Sequence, residues 1–203
     1  ILTGVLPKTN GEIIYKGSPE ENYNARTAKQ IGVSCAYQDL SLCTNLSIFE
    51  NFAMLNVSHS MAPCKNWRNE VKTEVKKLIE TYFPGSNIDV MKPLGSLSLT
   101  DRQVVEICKT LMMDNLKILI LDEPTSALSS DKAQQLHKIV AKLSAKGVAV
   151  IYISHKLDEI RVVSDRIVLL TNGQNKGEFY SDEITQEELI SHMGGVSEKK
   201  ERV

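Results

Sequence analysis

No apolar run in the 203 residues approaches the roughly 18 that suggest a membrane span; the longest, such as Leu116–Leu121, are strand-sized. Charge of one sign is lacking too. Against 25 Asp and Glu stand 24 Lys and Arg, a formal net charge of −1, so no global field recruits nucleic acid or an anionic membrane. The four cysteines, Cys35, Cys43, Cys64 and Cys108, are scattered with no C-x-x-C pair. His59 and Cys64 come nearest to a ligand pair, but no second pair accompanies them, so the thiols read as reduced cysteines of a cytosolic protein rather than zinc ligands. An initiator Met and the basic region of a signal peptide are also missing. The chain opens on Ile1 and reads as a fragment. What is present, 42% hydrophobic and 24% charged residues, excludes collagen, a disordered tail and a disulfide-dense mini-protein. The length allows one or two domains with a sizeable core.

Short apolar runs alternate with longer helical patterns. Strands are predicted at Glu12–Tyr15, Gly32–Tyr37, Lys117–Leu121, Val148–Ile153 and Arg166–Leu170, with a last one near Gly177–Tyr180. Helices are predicted at Ser98–Met113, Asp131–Ala145 and Lys156–Val163. In the first, Val104, Val105, Cys108, Leu111 and Met112 recur at helical spacing; the second ends at the stop signal Lys146-Gly147. Apolar strands alternating with helices indicate an α/β fold whose mostly parallel sheet is covered on both faces. From Ser47 to about Gly95 no strand is evident. Helices are expected there at Ser47–Leu55, opening on the capping box Ser47-x-x-Glu50, and at Asn66–Tyr82, with Pro63, Pro84-Gly85 and Pro93 as punctuation. This reads as a helical insertion. Its stretch Lys72–Lys77 mixes Glu74 with lysines, a solvated face rather than a phosphate-binding patch. A short helix capped by Thr185-x-x-Glu188 follows Tyr180, and the charged tail Ser197–Val203 reads as a linker or frayed end.

In open parallel sheets, ligands bind beyond the carboxyl ends of the strands. The predicted strands run into Gln38, into Asp122-Glu123-Pro124-Thr125, and into Ser154-His155. An Asp at a strand end often caps the next helix, and a lone His is more often structural than catalytic; a glutamine, a carboxylate pair and a histidine on one edge together indicate a site. These residue types suit phosphoryl transfer from a nucleotide. The first carboxylate suits the water shell of Mg2+, and the second can polarise the water attacking a γ-phosphate. The amide of Gln38 can join metal and water, and a neutral His155 can contact the γ-phosphate. This is the Walker B half of a nucleotide site.

Here a family resemblance enters. LKILILDEPTSAL at 116–128 resembles the Walker B strand and D-loop of the ABC-transporter ATPases. IYISHKLDEI at 151–160 resembles their H-loop, residues 33–38 their Q-loop, and SDRIVLLTNGQ at 164–174 the strand pair that follows. LSLTDRQVVEICKTL at 97–111 resembles their signature helix in the form found in sugar importers of the ribose and galactose kind, and in particular the first of two tandem ATPase domains. The resemblance implies a P-loop NTPase-like core at 1–40 and 97–180, a helical subdomain at 41–96, and a C-terminal helix and tail at 181–203. It makes Asp122 the magnesium-side carboxylate, Glu123 the catalytic one and Gln38 the Q-loop residue coupling metal and water to the membrane partner. His155 becomes the switch histidine, and Ser98 the signature serine that reaches ATP held by an opposing domain. Ser98-x-x-Asp101 is also an ordinary helix N-cap pattern.

The implied function is an ATP-hydrolysing subunit of an ABC importer for a sugar or nucleoside-like solute, with ATP and Mg2+ as cofactors. Implied partners are a second ATP-binding domain, a permease docked through the helical subdomain and, indirectly, a solute-binding protein. The implied place is cytoplasmic, on the inner face of the cell membrane. Alternatives are a soluble ABC ATPase, whose usual large insertions or basic arms are absent here, and a non-hydrolysing docking module. Two departures stand out. The usual LSGGQ reads LSLTD at 97–101, with Thr100 in place of a glycine that lets helix-start N–H groups approach phosphate. The usual D-loop Asp is Ser129. Moreover, no G-x-x-x-x-G-K-[ST] occurs and no Gly is followed by Lys. Ile1–Gly4 therefore resembles the end of a P-loop helix cut after its lysine and serine. The expectation is that the chain alone lacks the first core strands, binds ATP weakly and hydrolyses essentially none.

Overall fold

Three of the expected strands pair side by side in the computed structural model, which describes residues 1–38, 41–56 and 66–194. His59, Pro63, Cys64 and the tail Ser197–Val203 lie outside the described residues. The chain forms two compact units, Ile1–Ile153 and Ser154–Val203.

The first unit opens with a small hairpin, β1 (Ile14–Tyr15) and β2 (Ser18–Pro19). The expected strand Glu12–Tyr15 is cut short because Lys16 and Gly17 both take positive φ, 51° and 81°, the two-residue turn that folds a chain straight back on itself. Next comes α1 (Ala25–Ile31), which periodicity did not reveal. Its signals are local ones. The Asn24 side chain accepts from the amides of Arg26 (2.9 Å) and Thr27 (3.2 Å). Gly32 ends it at φ 98°, and a Cβ there would sit 2.1 Å from the Asn115 carbonyl oxygen, so only glycine fits.

The sheet consists of β3 (Val33–Ala36), β4 (Ile118–Asp122) and β5 (Ala149–Ile153) in that order, parallel throughout. Between β3 and β4 run α2 (Ile48–Asn56), α3 (Trp67–Tyr82), a single 3-10 turn (Leu94–Ser96) and α4 (Leu99–Leu111); α5 (Ser130–Ala145) joins β4 to β5. One core unites them: Phe52, Val75, Ile107, Leu119, Leu121 and Leu136 are fully buried and belong to the same apolar cluster. β4 is the best covered strand. β5 departs from the expectation of a strand covered on both faces, since Ile151 and Ile153 are exposed.

The second unit contains α6 (Leu157–Val163), the antiparallel pair β6 (Arg166–Thr171) and β7 (Gln174–Tyr180), and α7 (Gln186–His192). Its core is Ile167, Ile184 and Leu189, with Leu157, Ile160 and Phe179 packed against them. The three-stranded sheet of the first unit is thus parallel, and the pair in this unit antiparallel. No helix among the described residues is long and apolar enough to cross a membrane.

Candidate functional site

The register of the sheet decides what meets at its edge. Ala36 pairs with Leu121, and Asp122 with Ile153, so all three strands finish level. Gln38 stands two residues beyond β3, Asp122 is the last residue of β4, and Glu123 is the first residue past it. These three expected residues therefore share one edge of the first unit. His155 stands two residues along the chain from the end of β5 and belongs to the second unit.

Glu123 has φ 47°, a left-handed conformation that costs a non-glycine residue on the order of 1–3 kcal/mol. The surroundings impose it. The Glu123 amide donates to the Ile153 carbonyl at 2.9 Å, and its carbonyl accepts from the Ser126 amide (3.2 Å) and the Ser126 hydroxyl (2.9 Å). Pro124 follows with its φ already fixed, and the Leu128 amide closes on Thr125 at 3.2 Å. The DEPTSAL turn is a tightly bonded loop, strained in the backbone at Glu123. No sequence pattern announces that strain.

Ser98 is the N-cap of α4. Its hydroxyl accepts from the Asp101 amide at 3.1 Å and donates to the Asp101 carboxylate at 2.8 Å, so the capping pattern read from the sequence is present. Ser98 is exposed, as is Leu99 beside it. Two further features of α4 were missed. Thr100 donates its hydroxyl to the main-chain carbonyl of Ala127, at 2.7 Å, inside the turn that follows Glu123. One helical turn and a half later, Glu106 is a fully buried carboxylate. It accepts from the Ser41 hydroxyl at 2.7 Å and faces the Lys109 ammonium at 3.7 Å, while that ammonium also donates to Ser41 at 2.6 Å. Ser41 lies three residues after Gln38. A polar residue on the apolar face of a helix was the one available signal for Glu106, and the apolar periodicity around it hid that signal.

Burial pushes the Cys35 thiol up to about 11, and the charges of Asp122 and Glu106 push it the same way, against a hydrogen bond from Tyr37. No group of three or more His, Cys, Asp or Glu side chains gathers as a metal cage among the described residues. The residues present at the edge, Asp122 and Glu123 with the amide of Gln38, fit Mg2+ with a nucleotide, which needs only one or two protein carboxylates because water and phosphate oxygens complete its shell. Away from the edge, a cavity of about 650 Å³ lies in the first unit, lined by Arg26, Lys29, Cys35, Leu55, Lys109 and Met112 among others.

The model of the ABC transporter family matches residues 1–126, which include the Asp122-Glu123 turn. The chain belongs to the ABC transporter family. Among curated ABC relatives, the ribose import ATP-binding protein RbsA 2 of Agrobacterium fabrum is 36% identical over 195 residues, 96% of this chain and 38% of that protein. The fructose import ATP-binding protein FruK of Bifidobacterium longum is 35% identical over 196 residues, 97% of this chain and 37% of that one. The chain thus spans under two-fifths of the length of these relatives. Solved ABC folds resemble it as well. A nucleotide-free ATP-binding cassette from an ABC transporter superposes with a TM-score of 0.70 at 22% identity, covering 88% of this chain and 73% of the other. A cassette in a dimeric post-hydrolysis state, bound to ADP and Pi, gives 0.71 at 20% identity, covering 88% and 77%. The α/β architecture with a parallel sheet is therefore that of an ABC cassette.

Proposed function

We propose that this chain is the core of the ATP-binding subunit of an ABC importer, coupling ATP hydrolysis to uptake of a sugar or related solute. The observation that carries the proposal is the DEPTSAL turn of an ABC family member, set at the carboxyl edge of a parallel sheet with Gln38 on the same edge. The names of the ribose and fructose import relatives support the solute class. Bound at this edge, Mg2+ would supply charge neutralisation of the phosphates. Asp122 is the carboxylate that would hold it. Glu123 accepts a proton from the attacking water, and its strained backbone fixes where that carboxylate stands. Gln38 orients the water through its amide. His155 contacts the γ-phosphate, and the Ser98 hydroxyl, on leaving the Asp101 carboxylate, donates to ATP held by a second ATP-binding domain.

That second domain is one partner. The other is a membrane permease, docked through the helical segment 41–96. This holds the subunit on the inner face of the cell membrane. The signature LSLTD works against hydrolysis at the shared site, because Thr100 replaces glycine and Asp101 adds like charge near phosphate.

The test adds a phosphate-binding loop. With this loop and its strand joined ahead of Ile1, and a second ATP-binding domain carrying an intact LSGGQ signature as partner, Mg2+-dependent ATP turnover is measured for the parent and for Glu123→Gln. The expected result is a fall in kcat of about 10²–10⁴-fold with KM little changed, the range for removal of a general base. Equal turnover in the two proteins sinks the assignment of Glu123.

A further inference from the structure

A threonine hydroxyl can bond a backbone group close by in its own segment. Thr100 does not. Its hydroxyl reaches 27 residues along the chain to the carbonyl of Ala127, at 2.7 Å. The acceptor lies within the loop already tied by Ser126 to Glu123 and by Leu128 to Thr125. The donor stands two residues beyond Ser98, on the exposed end of α4. In the family pattern this position is glycine, which has no hydroxyl to give, so the link belongs to the threonine of this chain.

We propose that Thr100 is a positioning residue that braces the turn following Glu123 against the start of the signature helix, so that the two move as one piece. Whatever engages the exposed Ser98 end of α4 then bears directly on the loop that holds the Glu123 backbone in its left-handed conformation. The same threonine that crowds an approaching phosphate thus has a structural use, and a glycine restored at this position gives up one to relieve the other. The purpose of the brace rests on the proposed roles of Ser98 and Glu123; its existence does not.

The test is amide hydrogen exchange on the 203-residue chain, read residue by residue, for Thr100→Val and Thr100→Ser. Valine keeps the shape and removes the hydroxyl; serine keeps the hydroxyl. In Thr100→Val the Ser126 and Leu128 amides should exchange about five-fold faster, as expected for loss of one neutral hydrogen bond, with β4 unchanged. Thr100→Ser should match the parent. Three results overturn the proposal: unchanged exchange in the valine variant, a serine variant as fast as the valine one, or equal acceleration in β4, which marks lost packing. No nucleotide enters the measurement, so it can succeed while the Glu123→Gln turnover test fails, and the reverse.

Discussion

In Ile1–Ile153 a continuous apolar cluster runs from Phe52 and Val75 in the helical insertion, through Ile107 in α4, to Leu119 and Leu121 in β4 and Leu136 in α5. In Ser154–Val203 the described residues bury Ile167, Ile184 and Leu189, while Val168 and Leu170 on the same hairpin stay exposed. The two units use the same element types, yet only the first has a core large enough to hold polar groups in place. A fifty-residue unit has little interior to spend on that, because small folds bury a smaller share of their surface. Gln38, Ser98, Asp122 and Glu123 all stand on the large core, whose packing can absorb the strain at Glu123 and the buried charge of Glu106. His155 stands at the head of the small one.

The sharpest way to break this contrast is to empty a core position in each unit. Leu121→Ala, in a fully buried site of β4, should cost about 3 kcal/mol from lost burial and the cavity left behind. Urea unfolding should report it as a lower midpoint, with amides of β3, β4 and α4 exchanging faster together. Leu189→Ala, equally buried but among few neighbours that can close in, should cost about 2 kcal/mol. Its accelerated exchange should be confined to residues 154–194. If β4 amides accelerate as much in Leu189→Ala as in Leu121→Ala, the units unfold as one and the contrast is void.

The same contrast explains what was legible in the sequence. β3, β4 and β5 were found within a residue or two because fully apolar runs bounded by helices have one good solution, a parallel sheet. That Asp122, Glu123 and Gln38 stand at one edge was legible because the apolar runs mark where parallel strands end. Three things were not legible. The left-handed φ of Glu123 depends on the Ile153 carbonyl, thirty residues away. The Ser41–Glu106 bond and the bond from Thr100 to the Ala127 main-chain carbonyl join segments that no periodicity relates. The exposure of Ile151 and Ile153 is a property of what lies beside β5, whereas the run itself reads as buried. Helix α1 was hidden for a different reason: seven residues with one buried position, Ala28, give no period, and only the Asn24 cap and Gly32 mark its ends.

Cysteine labelling sharpens the comparison within the first unit. Cys43 is exposed, Cys35 half-buried on β3 and Cys108 buried in α4. Burial raises both of the latter thiols, Cys35 to about 11 and Cys108 in the same direction. At pH 8, a maleimide or iodoacetamide followed by peptide mapping should, among these three, modify Cys43 first and Cys35 slowly, with Cys108 reacting only in denaturant. Since the folded Cys35 thiol holds its proton more tightly than the unfolded one, its contribution to stability is intact below about pH 9 and is lost as pH rises toward 11. Labelling of Cys108 in native buffer as fast as that of Cys43 would show that the large core opens.

The smallest effect compares the helix caps of the two units. Ser47 holds the Glu50 carboxyl below its ordinary value of 4.5, through its side chain first and its amide second. Thr185 does the same for Glu188, through its amide first. A carboxyl depressed in the folded state stabilises above its unfolded value and loses that contribution as pH falls through the folded one. Both carboxylates are exposed, so each effect is slight. Glu188→Gln should lessen the acid sensitivity of exchange in α7 between pH 5 and pH 3 and leave α2 unaltered. Glu50→Gln should do the reverse. The change should be easier to see for Glu188, because the smaller core behind α7 leaves its cap a larger share of the local stability. Acid profiles of α2 and α7 that both stay as in the parent, in either variant, would mean that the caps are formed without bearing on stability in either unit.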